Sequence, residues 1–260
     1  MRNKLRTRSY QVALLFGSLL TWELMVRSRI ADEFFFSMPS AILLRVATWI
    51  WEGEIYRHLS ITFSEILLAF AIGTVLGTSM GLWLALNSTA RQILEPYIKA
   101  FNAIPRVVLA PIFTLWFGLG LLSKVALGVS LVFFLAFFNT YQGVREVNLG
   151  ILANARMLGA SQRQLLRHLY LPSAGGWILS SLRTSIGFAV VGAVVGEYMG
   201  AAAGLGYLIA QAEGVFDTTG VFAGMAILVL FVLILDSVVN AAGKQILAWR
   251  TTSATGGAPA

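Results

Sequence analysis

Few side chains in this sequence offer chemistry, and the first to test is a serine. Gly77-Thr78-Ser79-Met80-Gly81 matches G-x-S-x-G letter for letter, the spacing that exposes a nucleophilic serine on a strained turn between a strand and a helix. Here those five residues lie inside one apolar run, 62–86, which reads as continuous helix. A nucleophilic serine also needs a base within hydrogen-bond reach. The two histidines, His58 and His168, fall outside that run in separate polar segments, and neither reaches Ser79. The chain has no cysteine, which removes thiolate nucleophiles, thiolate metal sites and disulfides. Nor does it contain G-x-x-x-x-G-K-[ST], the loop that cradles nucleotide phosphates. The chain therefore reads as no enzyme, with no cofactor or metal of its own.

Composition says where such a chain can live. Hydrophobic residues make up 57% of it and charged residues 12%, about half the charge of an ordinary soluble domain. So little charge cannot clothe a surface in water, and much of the surface must face lipid. Apolar stretches long enough to cross about 30 Å of hydrocarbon fall at 10–28, 62–86, 98–118, 121–141, 176–197 and 220–243. The expected fold is an all-α membrane protein, a bundle of six transmembrane helices. The first stretch is longer than a signal-peptide core and lacks a small-x-small cleavage site close behind it, so it reads as a retained span. Residues 1–9 form an N-terminal segment, 10–250 the membrane domain and 251–260 a small, polar tail expected to be disordered.

The net charge of +7 is scattered between apolar runs, a distribution that encodes topology and not nucleic-acid binding. Arg2, Lys4, Arg6, Arg8, Arg91, Arg145, Arg156, Arg163, Arg167, Lys244 and Arg250 share one side if the spans alternate. The opposite side has residues 29–61, where acidic residues balance the basic ones, and 198–219, with Glu213 and Asp217. Basic loops stay inside, so both termini are expected in the cytoplasm.

Two spans carry glycine every fourth residue: Gly73, Gly77 and Gly81, then Gly192, Gly196 and Gly200. Such stripes let helix backbones approach closely inside a bundle. Pro105 and Pro111 remove helix hydrogen bonds and are expected to kink the third span, and a broken helix at membrane depth must be buried or line water. Glu23, Glu65, Glu197 and Asp236 fall near span ends, where the midplane cost of a charge is avoided. Glu65 and Glu197 are candidates for a pathway or gate, with Pro105 and Pro111.

Residues 142–173 form the longest connection on the basic side. Leucines recur at helical spacing between Arg156, Arg163 and Arg167, interrupted at Gly159-Ala160-Ser161. The pattern predicts a helix, a turn with Ser161 as N-cap, and a second helix ended by Pro172. An amphipathic helix there suits lipid headgroups or a groove on a partner.

Ala153-Asn154-Ala155, Gly159 and Leu169-Tyr170-Leu171-Pro172 resemble the EAA loop of binding-protein-dependent ABC importer permeases. Ala103-Ile104-Pro105, Ala110-Pro111, Leu115 to Gly120, Ser123-Lys124, Asn139 to Arg145 and Gly204 to Ile209 are similar, in order, to motifs of the nitrate, sulfonate, taurine and bicarbonate branch. Ala153 stands where the motif has glutamate, Leu121 where an acidic residue often follows, and Glu65 where sulfonate relatives often have arginine. The resemblance implies an importer that moves a small solute, such as one of those anions, from a periplasmic or lipid-anchored binding protein into the cytoplasm. A thiamine-precursor pyrimidine or other heterocycle is the alternative, and an ATP-independent transporter or channel a remote one. It further implies a second permease copy and two cytoplasmic ATPase subunits carrying ATP and Mg. They would be engaged through Ala153, Asn154, Ala155, Gly159, Ala160, Ser161, Leu169, Leu171 and Pro172.

The charge asymmetry makes a topology test direct, because introduced cysteines meet no background. Ser161→Cys is expected to resist a membrane-impermeant thiol reagent in intact cells, and Thr218→Cys to react. Labelling of Ser161→Cys from outside would put the basic loop in the wrong compartment for any cytoplasmic partner.

Overall fold

A computed structural model describes the backbone of residues 2–251, and the side chains of 6–239 and 241. Among the described residues every regular element is helical. In order these are α1 (Arg2–Arg27), α2 (Glu33–Phe36), α3 (Pro39–Trp51), α4 (Glu54–Leu86), α5 (Ser88–Asn102), a 3-10 turn (Arg106–Leu109), α6 (Ala110–Phe117), α7 (Leu121–Arg145), α8 (Leu149–Met157), α9 (Gln162–Leu165), a π-helical turn (Leu166–Tyr170), α10 (Leu171–Met199), α11 (Leu205–Gly214) and α12 (Thr218–Thr251). Among the described residues five stretches are long and apolar enough to cross a membrane, and six if α5 and the Arg106–Phe117 segment, bent by 83°, count as one. The expected tail lies outside the described residues beyond Thr251.

The chain divides into two packed units, Met1–Ile61 with Ala203–Leu230 and Thr62–Ala202 with Phe231–Ala260. In the first, polar residues tie short helices together. Glu23 accepts hydrogen bonds from the Ser40 backbone at 3.0 Å and its hydroxyl at 2.7 Å. Arg45 pairs with Asp217 at 2.6 Å, and the Ser37 and Thr219 hydroxyls lie 2.8 Å apart. His58 Nδ1 accepts the Gly204 N–H at 3.0 Å. That bond explains why the second span begins at Glu54, earlier than the hydropathy of 62–86 suggests. The imidazole is satisfied within the protein, so a polar residue does not end the helix.

In the second unit α4, α7 and α10 form the core, and the glycine stripes explain how. A Cβ on Gly81 would lie 2.5 Å from the Phe137 carbonyl of α7, and one on Gly128 2.6 Å from Ala69 of α4. A Cβ on Gly192 of α10 would collide with the backbone of Gly128. Gly200, expected to continue the second stripe, instead falls one residue past the end of α10.

Two further expectations are corrected. The third span is not one kinked helix: α5 ends at Asn102, Pro105 opens the 3-10 turn, and the axis swings by 83°. Pro111 causes no break, because it sits in the first turn of α6, where a missing N–H costs nothing. Pro172 likewise does not end a helix but lies in the first turn of α10. The chain passes it because the preceding turn widens, the Leu171 N–H bonding back to the Leu166 carbonyl, so the ladder is rerouted around the proline.

This packing predicts that Gly192→Ala lowers stability by about 1–3 kcal/mol through overpacking, whereas Gly187→Ala, with open space around it, does not. Thermal unfolding of the two variants in detergent would show it, and equal melting temperatures would contradict the helix crossing.

Candidate functional site

Three places in the second unit gather polar groups. The first lies where α4, α7 and α10 meet. Glu65, Lys124 and Glu197 are 2%, 1% and 1% exposed. Thr62 Oγ1 donates to Glu197 Oε1 at 2.6 Å. Glu65 lies within Coulombic reach of Glu197 and of Lys124. Glu65 Oε2 is buried with no hydrogen-bond partner among the described residues, so two acidic side chains and one ammonium share the site. Lys124 Nζ donates to the carbonyls of Leu119 and Gly200, the latter at 2.7 Å. The side chain thereby closes the backbone just before α7 and just after α10. The structure thus brings Glu65 and Glu197 together, buried between helices. Lys124 was missed as a functional residue in the sequence because a cation one turn from a span end reads as an interfacial anchor.

The second place is the loop after α7. Asn148 caps α8, its Oδ1 accepting the Gly150 N–H at 2.8 Å. α8 ends in a Schellman motif: Gly159 (φ +80°) donates to Arg156 and Ala160 to Ala155, each at 3.0 Å. That positive φ suits glycine. Ser161 and Gln164 then form a capping box, with bonds of 2.8 and 3.3 Å, so the next helix begins three residues after the glycine. Val144, Val147, Leu165, Tyr170 and Ala174 are buried beneath the loop, with Ala155, Ala160 and Leu169 half-buried against them. Ala153, Asn154, Gly159, Ser161, Leu171 and Pro172 are exposed. So are Leu149, Ile151, Met157 and Leu158, from 56% to 88%. A groove of about 460 Å³ runs between Ile151, Leu158, Gly159 and His168. The surface is rigidly built and largely apolar.

The third place is the break after α5. Pro105 and Pro111 are exposed, and Pro111 lines a cavity with Leu119 and Met199, next to the backbone that Lys124 closes. Between them stands Arg106, whose guanidinium lies 4.2 Å from the Phe134 ring centroid, midway along α7. Its Nη2 donates to the Asn102 side-chain oxygen and, at 3.4 Å, to the Asn102 carbonyl. Its Nε is buried with no hydrogen-bond partner among the described residues. The signal was present: Arg106 is a charge at the centre of the apolar stretch 98–118, where a charge is costly and functional.

Ser79 lies inside α4 between glycines pressed on α7; its motif is packing, not a nucleophile turn.

Residues 73–247 match the family model described as binding-protein-dependent transport system inner membrane component. The chain is 35% identical over 247 residues to the formylaminopyrimidine transport permease protein ThiX of Halalkalibacterium halodurans, covering 94% of this chain and 98% of that protein. It is 33% identical to the putative aliphatic sulfonates transport permease protein SsuC of Bacillus subtilis, over 82% and 78% of the two chains. It is 27% identical to the taurine transport system permease protein TauC of Escherichia coli, over 93% and 91%. Among solved structures, an inward-facing MetNI methionine ABC transporter superposes with a TM-score of 0.64 at 20% identity, covering 77% of this chain and 97% of that one. That likeness concerns the fold.

The buried cluster carries its own prediction. Lys124→Met should destabilise the protein by roughly 3–5 kcal/mol, because it strands a buried carboxylate and two carbonyls. Adding Glu65→Gln and Glu197→Gln should recover part of that loss. Melting curves of the single and triple variants decide it, and a triple variant no better than the single would refute charge balance as the cause.

Proposed function

The chain belongs to the family of inner membrane components of binding-protein-dependent transport systems, an ABC importer permease, and from that premise we propose how it works and what it carries. The observation that carries the mechanism is the capped loop 142–173. Its exposed Leu149, Ile151, Met157 and Leu158 make an apolar surface that a soluble partner would bury. The reading is that this surface seats in a groove on a cytoplasmic ATPase subunit, one for each of two permease copies. Ala153, Asn154, Ala155, Gly159, Ala160, Ser161, Leu169, Leu171 and Pro172 shape the contact. ATP and Mg bind on that partner, and closure of the ATPase pair moves the spans as rigid bodies. Both termini and the loop then face the cytoplasm of the inner membrane, and an external binding protein, periplasmic or lipid-anchored, delivers the solute.

For the solute we propose a small organic anion of the sulfonate or taurine kind, which the SsuC and TauC relatives support. A formylated pyrimidine is the second reading. It is favoured by the identity to ThiX along almost the whole chain. Glu65 and Glu197, buried side by side, would hold α4 against the end of α10 at the mouth of the pathway.

Coupling is tested at Gly159. Gly159→Val forces a β-branched residue into positive φ, at roughly 1–3 kcal/mol of strain, while Gly159→Asn tolerates it. With the spans folded in both, the valine variant should lose solute uptake or release the ATPase on purification, and the asparagine variant should keep both. Unchanged uptake and co-purification in Gly159→Val would sink the loop assignment.

A further inference from the structure

The break between α5 and α6 lies beside the middle of α7, a helix long and apolar enough to cross a membrane, and backbone opened towards lipid there would find no hydrogen bonds. Such backbone is stable only when covered by protein or lining a water-filled path. Arg106 sits in that break with its guanidinium over Phe134, at the middle of α7. No carboxylate pairs with it among the described residues. A charge so placed is costly even by the mildest scale, and marks a solute or ion pathway. Around it lies a cavity of about 140 Å³ walled by Asn102, Leu131, Phe134, Leu135, Phe138 and Phe188. That is well above the roughly 10–15 Å³ a single water needs.

The walls are aromatic and apolar, with one cation and one amide. Phe134 and Phe138 stack at 6.3 Å, giving a ladder of ring faces along α7, and Phe188 faces them from α10. Arg106 spends one nitrogen on Asn102, while Nε is buried without a partner. Donors left over on a fixed guanidinium recognise oxygen acceptors, and paired ones take planar oxygen groups best. Aromatic faces take flat or apolar bodies. No acidic residue lines the cavity to welcome a cationic solute.

We infer that this cavity is a solute-contact site of the translocation pathway, binding a small organic solute that presents a sulfonate or carbonyl oxygen to Arg106 and a flat or apolar body to Phe134, Phe138 and Phe188. The inference rests on the importer reading above and adds to it the place and chemistry of contact. Arg106 also caps the last turn of α5, so its test must read more than folding.

The cysteine-free chain supplies the test. Leu135→Cys, and separately Phe188→Cys, are labelled in the permease assembled with its ATPase in lipid nanodiscs. The reagents are sulfonatoethyl methanethiosulfonate and trimethylammonioethyl methanethiosulfonate. The anionic reagent should react faster than the cationic one by roughly tenfold or more, and Arg106→Gln should abolish that preference. Ethanesulfonate or formylaminopyrimidine should slow labelling, and whichever protects identifies the source of the oxygen acceptor. A merely structural arginine would give no solute protection. Protection by neither solute, or equal rates for the two reagents, would overturn the site. Uptake measured on the same complex keeps two failures apart. Unreactive cysteines in a complex that transports overturn the site and leave the importer reading standing, whereas a complex without ATP-driven uptake overturns both.

Discussion

In hydrocarbon, apolar side chains gain nothing by leaving lipid for one another, so helices associate only where shape allows dense contact or polar groups find partners. In the unit built on α4, α7 and α10 everything follows from the shape condition being met at one crossing. Gly128 and Gly192 place two backbones so close that a single methyl group would not fit between them. Gly77 and Gly81 do the same between α4 and α7. Backbones at that distance multiply weak dispersion contacts and leave helix axes almost no freedom to slide.

The polar cluster is a consequence of that closeness. Gly196 lets the stem of Lys124 lie flat on α10, which carries the ammonium to the carbonyls of Leu119 and Gly200. Glu65 and Glu197 meet because their helices are already held together. Buried charges are poor glue by themselves, since desolvation offsets their attraction. Their use here is directional: the bonds from Thr62 to Glu197 and from Lys124 to Gly200 form in the one register that the glycine contacts set.

How much of this was legible in the sequence follows the same division. Span number, the glycine stripes and the capped turn at Gly159-Ala160-Ser161 are local patterns, written in neighbouring residues. The start of α4 was not, because His58 is satisfied by Gly204, a residue remote in the chain. The proline effects were misjudged for a related reason. Pro105, Pro111 and Pro172 are alike in sequence, yet only the first interrupts the path. The others sit in first turns whose position depends on where the preceding element stops. Arg106 was readable, being a charge at the centre of an apolar stretch, but its meaning needed Phe134 beside it. The functional roles of the loop and of the acidic pair stand on resemblance and chemistry.

The contrast between the core and the broken helix bears on how such a protein can switch. A three-helix unit locked by glycine contacts is suited to move as one body, since packed interiors are bistable and do not deform smoothly. The loop that follows α7 is joined to the same body: Val144 and Ala174 are buried in one cluster with Leu165 and Tyr170. On the proposed coupling, a push on α8 would reach α7 and α10 through this shared cluster. The segment from Ala103 to Leu109 is different, with a helix end, a proline and a single 3-10 turn, and so few hydrogen bonds hold its direction. The loop that would take up the partner's movement on that coupling is tied to the packed helices, whereas the direction of the chain beside Arg106 is set by a helix end and one 3-10 turn.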